Sequence, residues 1–311
     1  MLKTAAFEKR FFPDLEALSP EKAEVLRFHG DVIPGSAVMV LRSPDGTPEE
    51  DLLRGGSFLG AGFLEAMQNY RVRKEEPGHA FYNVQMDFAL DFRDSEAVTA
   101  MEMLLQALTE RCAELKANEP EHPIALTYWV RLDARETRAF FERFGFREAY
   151  RCYRMARALS EENEDTEAEG TLTAAGDERI TEMDLRDPAA MKRYIEGTRE
   201  AYGVPDSEDE MRFRILRQGA RVFTIEEKSF VTVWDLGHGD AATENVFTRK
   251  EFRREGLSKK LLEGVAEILR KEGQSRLLLN VYPKFAAPAL RMYRSLGYKR
   301  LYTLLEMHKM F

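Results

Sequence analysis

The sequence predicts an α/β (α+β) protein of two tandem halves, each a mixed central sheet flanked by helices. Three observations predict it. From Glu178 onward, apolar strands and amphipathic helices follow in the order β-α-α-β-β-β-α-β-α-β. The first half repeats the closing part of that order. Between them, Ser160 to Glu178 carries eight acids and neither a basic nor an aromatic residue, the composition of a solvated connector. The chain has 311 residues, 44% of them hydrophobic, enough for about two domains with ordinary cores. The halves are therefore read as 1–159 and 178–311, with an acidic linker over 160–177.

In the second half, Arg179 to Met183 reads as a short strand. Asp187-Pro188 starts a helix, with an acid at the cap and proline at the first helical position; Gly203 and Pro205 stop it after Tyr202. Ser207 with Glu210 three residues on is a capping box for a second helix. Strands are expected near Arg221–Glu226, Phe230–Leu236 and Ala242–Thr248. Leu257, Leu261, Leu262, Val265, Ile268 and Leu269 recur at helical spacing up to Gly273. The continuous apolar run Leu277 to Tyr282 fits a strand at a sheet centre. Ala287 to Leu296 is a short helix closed by Gly297, and Tyr298 to His308 a last strand.

Chemistry concentrates in Asn245 to Lys260, where a strand gives way to a loop and a helix. Arg253-Arg254-Glu255-Gly256-Leu257-Ser258 forms an R-x-x-G-x-S pattern. Backbone N–H groups at a helix start bind anions, and glycine lets a phosphate approach the backbone. Arg249 to Lys260 carries net +4 over twelve residues. Both a pyrophosphate site and a solvated basic helix start fit this loop alone. The pattern A-x-x-M-Y-x-x-L-G-Y, Ala289 to Tyr298, follows about 35 residues later, and the pair is rarer than either part.

Together, Asn245 to Tyr298 resembles the GNAT superfamily of N-acetyltransferases. The resemblance implies a tandem acetyltransferase-like protein that uses acetyl-CoA as co-substrate. It implies that the backbone of Val246, Phe247 and Thr248 holds the pantetheine arm. Arg253, Arg254, Glu255, Gly256, Leu257 and Ser258 would hold the pyrophosphate, and Asn280 joins the cofactor-binding set. Tyr293 matches the general acid for the leaving thiolate. Glu244 is the candidate base, with Asp235 and His238 behind it. Three positions depart from the family pattern: Ser258 for glycine or alanine, Ala286 for an asparagine seven residues before the tyrosine, and Tyr298 for phenylalanine.

The first half resembles the same family more faintly, over Phe81 to Arg157. Arg138 to Phe146 mirrors Leu290 to Tyr298, Ile124 to Val130 mirrors Leu277 to Tyr282, and Ala97 to Leu115 has helical spacing. The loop position reads Asp91-Phe92-Arg93-Asp94-Ser95-Glu96-Ala97, acidic and without glycine, and the tyrosine position is Phe141. A degenerate copy that does not bind coenzyme A is expected.

The net charge of −8 argues against a nucleic-acid partner, and no uncharged run approaches the ~20 residues of a membrane span. Cys112 and Cys152 are too few for a disulfide framework, so a cytoplasmic location is expected. The five histidines are scattered and form no metal cluster. Gly60-Ala61-Gly62 lacks the rest of a dinucleotide fingerprint and reads as a glycine-rich strand or bulge. The expected partner is a small amine, for which Asp206, Glu208, Asp209 and Glu210 are possible contacts; a homodimer is the other possible association. Two rival functions stand beside acetyl transfer: a transferase of another acyl or aminoacyl group, and a silent coenzyme A-binding scaffold.

Overall fold

The computed structural model describes residues 1–29, 37–43, 56–67, 82–118, 123–159, 180–202, 208, 211–212 and 219–311. The linker expected over 160–177, and Asp206, Ser207, Asp209 and Glu210, lie outside these residues. The first half supplies strands β1 (Leu2–Ala6), β2 (Ala37–Arg42), β3 (Ser57–Met67), β4 (Tyr82–Leu90), β5 (Ile124–Arg131) and β6 (Arg147–Ala158). Its helices are α1 (Phe12–Leu18), α2 (Pro20–His29), α3 (Ala97–Asn118) and α4 (Arg135–Arg143). The second half supplies β7 (Ile180–Glu182), α5 (Pro188–Tyr202), β8 (Arg221–Ile225), β9 (Ser229–Gly237), β10 (Asp240–Thr248), α6 (Leu257–Lys271), β11 (Arg276–Val281), α7 (Ala287–Ser295) and β12 (Lys299–Met310).

Among the described residues, twelve strands form one sheet, ordered β1-β2-β3-β4-β5-β12-β6-β11-β10-β9-β8-β7. The two halves exchange their final strands. β6 pairs antiparallel with β11, Arg276 to Val281 facing Ala158 to Tyr153. β12 enters between β5 and β6, with Glu306 opposite both Trp129 and Tyr150. The exchange buries the edges that β5 and β11 would otherwise leave open to chance pairing.

The cores are exchanged with the strands. Leu305 and Met307 of β12 pack with Leu104, Leu126, Phe141 and Phe146 under α3 and α4 of the first half. Met155 of β6 packs with Leu261, Val265, Leu279 and Tyr293 under α6 and α7 of the second. Each half therefore completes its hydrophobic core, the main source of folding free energy, with side chains from the other.

The glycine-rich run is strand β3, with a register irregularity against β2 beside Val40 and Leu41. Asp187 caps α5, its carboxylate accepting from the N–H groups of Ala189 at 3.1 Å and Ala190 at 3.2 Å. Among the described residues, no helix is long and apolar enough to cross a membrane.

Candidate functional site

β10 carries most of the expected site, and its shape follows from an irregularity in its pairing. Glu244 pairs with Thr232 and Phe247 with Phe230, so Asn245 and Val246 together face one residue of β9. This is a β-bulge, which bends a strand and frees backbone groups from the ladder. Asn245 takes φ +45, a left-handed conformation that asparagine tolerates better than most residues. Its side-chain amide donates to the Tyr194 hydroxyl at 3.2 Å, and that hydroxyl meets Thr232 at 2.8 Å. The Tyr202 hydroxyl donates to the Val246 carbonyl at 3.4 Å. Asn245, Tyr194 and Tyr202 thus fix the bulge; sequence reading passed over their roles, because no spacing signals a bulge.

Phe247 is buried beneath α5 in a cluster with Tyr194, Met191 and Phe230. On the other side, β10 pairs in parallel with β11 only from Asp240–Arg276 to Thr243–Leu279. The pairing of the two strands ends there, just ahead of the bulge. An open strand edge can offer backbone groups to a ligand arm; here the carbonyls of Val246, Phe247 and Thr248 already accept from Tyr202, Ser229 and Arg253.

The R-x-x-G-x-S loop lies at the end of β10. Arg254 and Gly256 both have left-handed backbones, φ +76 and +75, and nothing lies within 4 Å of where a Gly256 Cβ would stand. Leu257 opens α6 directly after Gly256, so the first N–H groups of that helix face the loop. Arg253, Arg254, Lys259 and Lys260 are exposed around it. Arg253 Nε donates to the Thr248 carbonyl at 3.1 Å, and the Lys250 N–H donates to Glu200. Ser258 is held by its neighbours, for its hydroxyl meets that of Thr248 at 2.6 Å, and Ser229 meets Thr248 at 3.0 Å. These three hydroxyls tie the start of α6 to the end of β10.

Tyr293 lies on α7 in the second-half core, only 7% exposed. Its ring meets Tyr298 edge-on at 5.8 Å. Burial raises its phenol well above the ordinary value, with Tyr298 adding to the effect, so the hydroxyl keeps its proton at neutral pH. Glu244 is exposed beside the bulge. Asn280 is exposed on β11, and its side-chain oxygen accepts from Arg154 at 3.3 Å. Asp235, near the end of β9, and His238, in the turn that follows, lie at the far end of β10 from the bulge; Asp235 accepts from the Gly237 N–H at 2.8 Å. Of the acids after Tyr202, Glu208 is described, and it pairs with Arg212 at 2.6 Å.

The first half holds the same places filled. β4 pairs with β3 without interruption from Asn83 to Leu90, so no bulge forms. Where β4 and β5 part, the rings of Phe88 and Tyr128 meet at 5.6 Å, and Tyr128 stacks on Phe141 at 4.4 Å. The acidic turn is closed by the chain's own cation: Arg42 binds Glu96 at 2.6 Å and Asp94 at 2.8 Å. Arg42 accordingly holds the Asp94 carboxyl below its usual range.

Residues 191–298 match the model of the acetyltransferase (GNAT) family. This match covers about a third of the chain, all of it in the second half. The whole chain is also similar in fold to solved members of that group. A GCN5-related N-acetyltransferase from Sphaerobacter thermophilus has a TM-score of 0.60 at 15% identity, covering 99% of this chain and 95% of that one. A tandem GNAT protein from the clavulanic acid biosynthesis pathway has a TM-score of 0.55 at 15% identity, covering 100% and 98%. A GCN5-related N-acetyltransferase from Kribbella flavida has a TM-score of 0.56 at 11% identity, covering 100% and 70%. Comparison with curated proteins gave no match.

Proposed function

We propose that the protein is an acetyl-CoA-dependent N-acetyltransferase whose second half binds the co-substrate and acetylates a small primary amine. The observation that carries this reading is the contrast within one chain. Bulge, glycine-bearing basic loop and buried tyrosine occur together in the second half; an unbroken strand, an ion-paired acidic turn and a phenylalanine stand in the first.

In this reading the loop from Arg253 to Ser258 binds the pyrophosphate through helix-start N–H groups and basic side chains. The freed edge of Val246, Phe247 and Thr248 holds the pantetheine arm, with Asn280 across the gap. A backbone N–H near Phe247 meets the oxyanion that forms when the amine attacks the thioester. Tyr293, still protonated, gives its proton to the departing thiolate, and Glu244 takes one from the amine directly or through water. The setting is the cytoplasm.

The test is calorimetric titration with acetyl-CoA, using Gly256→Trp as control. One site per chain, lost in the variant, is the expected result. Two sites would overturn the reading of the first half. Absence of binding to folded protein would favour a scaffold instead.

A further inference from the structure

At the centre of the sheet, where the halves exchange strands, four aromatic residues gather over a buried carboxylate. Trp129 and Tyr150 come from β5 and β6; Tyr282 and Phe285 follow β11. Tyr150 meets Phe285 at 5.3 Å and Tyr282 at 6.5 Å, and Trp129 meets Tyr282 at 6.0 Å. All four are half-buried. Beneath them Glu306, 1% exposed, accepts from the Tyr282 hydroxyl at 2.6 Å and meets His308 Nε2 at 2.7 Å. His308 packs edge-on against Tyr150 at 5.5 Å.

A cation already occupies this place. The exposed Lys284 puts Nζ 5.0 Å from the centre of the Phe285 ring and 5.6 Å from that of Tyr150. Ring faces above a buried carboxylate attract a cation, and more strongly where water is thin.

The cluster shares a sheet face with the opening. Ala156, Ala242 and Leu278 pack together with Trp234 on that face. By alternation along their strands, Tyr150, Glu244 and Tyr282 follow on the same side. β6 lies next to β11, and β12 and β5 follow, so Tyr282 and Phe285 follow the strand that borders the parting of β10 and β11, Tyr150 lies one strand spacing, about 5 Å, beyond it, and Trp129 two strands further on.

Resting on the reading above, we propose that this cluster binds a second cationic group of the acceptor, which takes the place of the Lys284 ammonium while the reacting amine sits at the opening. The acceptor is then a diamine or a larger polycation rather than a simple monoamine. The degenerate half contributes Trp129 and Tyr150, and so takes part in choosing the substrate.

The test compares 1,4-diaminobutane with butylamine. Its nitrogens lie farther apart than one strand spacing, ~4.8 Å. Binding is measured first by calorimetry on the full chain without acetyl-CoA, so its outcome does not depend on the acetyl-transfer reading. The diamine should bind about tenfold more tightly than the monoamine. Tyr150→Leu, which keeps bulk but removes the ring, should abolish that preference. Lys284→Ala, an exposed change with little bearing on folding, should strengthen diamine binding severalfold. With acetyl-CoA present, the same preference should appear in KM with kcat for the two amines alike. Equal affinity for both amines, or weaker diamine binding in Lys284→Ala, would overturn the proposal. Diamine binding without acetyl-CoA binding would instead defeat the acetyl-transfer reading and leave the cation site standing.

Discussion

Replacing Gly197 by alanine tests how tightly α5 governs the bulged strand. A Cβ at this position would stand 2.8 Å from Cε2 and 3.1 Å from Cζ of Phe247. Such a contact must be relieved by movement. The ring has little room, since it stacks on Phe230 at 4.9 Å and is flanked by Tyr202 at 5.9 Å and Tyr194 at 6.0 Å. Two effects oppose one another. Alanine stabilises a helix interior over glycine by ~1 kcal/mol, while overpacking a filled core costs ~1–3 kcal/mol. The expected net loss is about 1 kcal/mol, a fall in Tm of about 2–4 °C. Phe247 ends the bulge, so its displacement should also weaken acetyl-CoA binding. Thermal unfolding and calorimetry read the two consequences separately. A variant as stable as the parent, with unchanged affinity, would refute the claim that the helix and the strand are locked through this ring.

Tyr293→Phe should lower kcat by about 10²-fold and leave acetyl-CoA affinity unchanged, as steady-state kinetics beside calorimetry would show. Burial raises the phenols of Tyr128 and Tyr298 to about 12, above the ordinary value near 10. Their contribution to stability is therefore complete below about pH 10 and is lost as the pH rises through 12; Tyr128→Phe and Tyr298→Phe should each blunt that alkaline loss in denaturant titrations. Cys112 is fully buried, and burial lifts its thiol to about 12, so a thiol reagent at neutral pH should label it only after unfolding. A protease site introduced between residues 160 and 177 should, once cut, leave the halves together on native gel filtration, because β6 and β12 each lie within the other half's sheet.

The sequence was most informative where local chemistry and periodicity agree. Helix α6 ends where its leucine spacing ends, and Asp187 caps α5 as its position before proline implies. The acidic turn and Phe141 are visible in the sequence as departures from the basic loop and tyrosine of the second half, and the structure sets Arg42 against that turn and Tyr128 on that ring. The rest depends on tertiary partners. A strand such as Lys299–Met310 has the same alternation whichever neighbours it pairs with, so nothing in its residues records that it crosses into the other half. The bulge at Asn245 and Val246 exists because helix α5 supplies hydroxyls to hold it. Glu306 and His308 look like ordinary strand residues until Tyr282 and Tyr150 are brought over them.

The position of β12 has a consequence for how the chain comes to be. It is synthesised after the other eleven strands of the described residues, yet it occupies the middle of the sheet. Until β12 is made, the strand that stands between β5 and β6 is missing and the core of the first half lacks Leu305 and Met307. Its maturation waits for the far end of the chain, and a newly made N-terminal half must stay soluble in the interval. Quality control therefore acts on the whole: damage to the final strand should unsettle the opening half as much as the closing one.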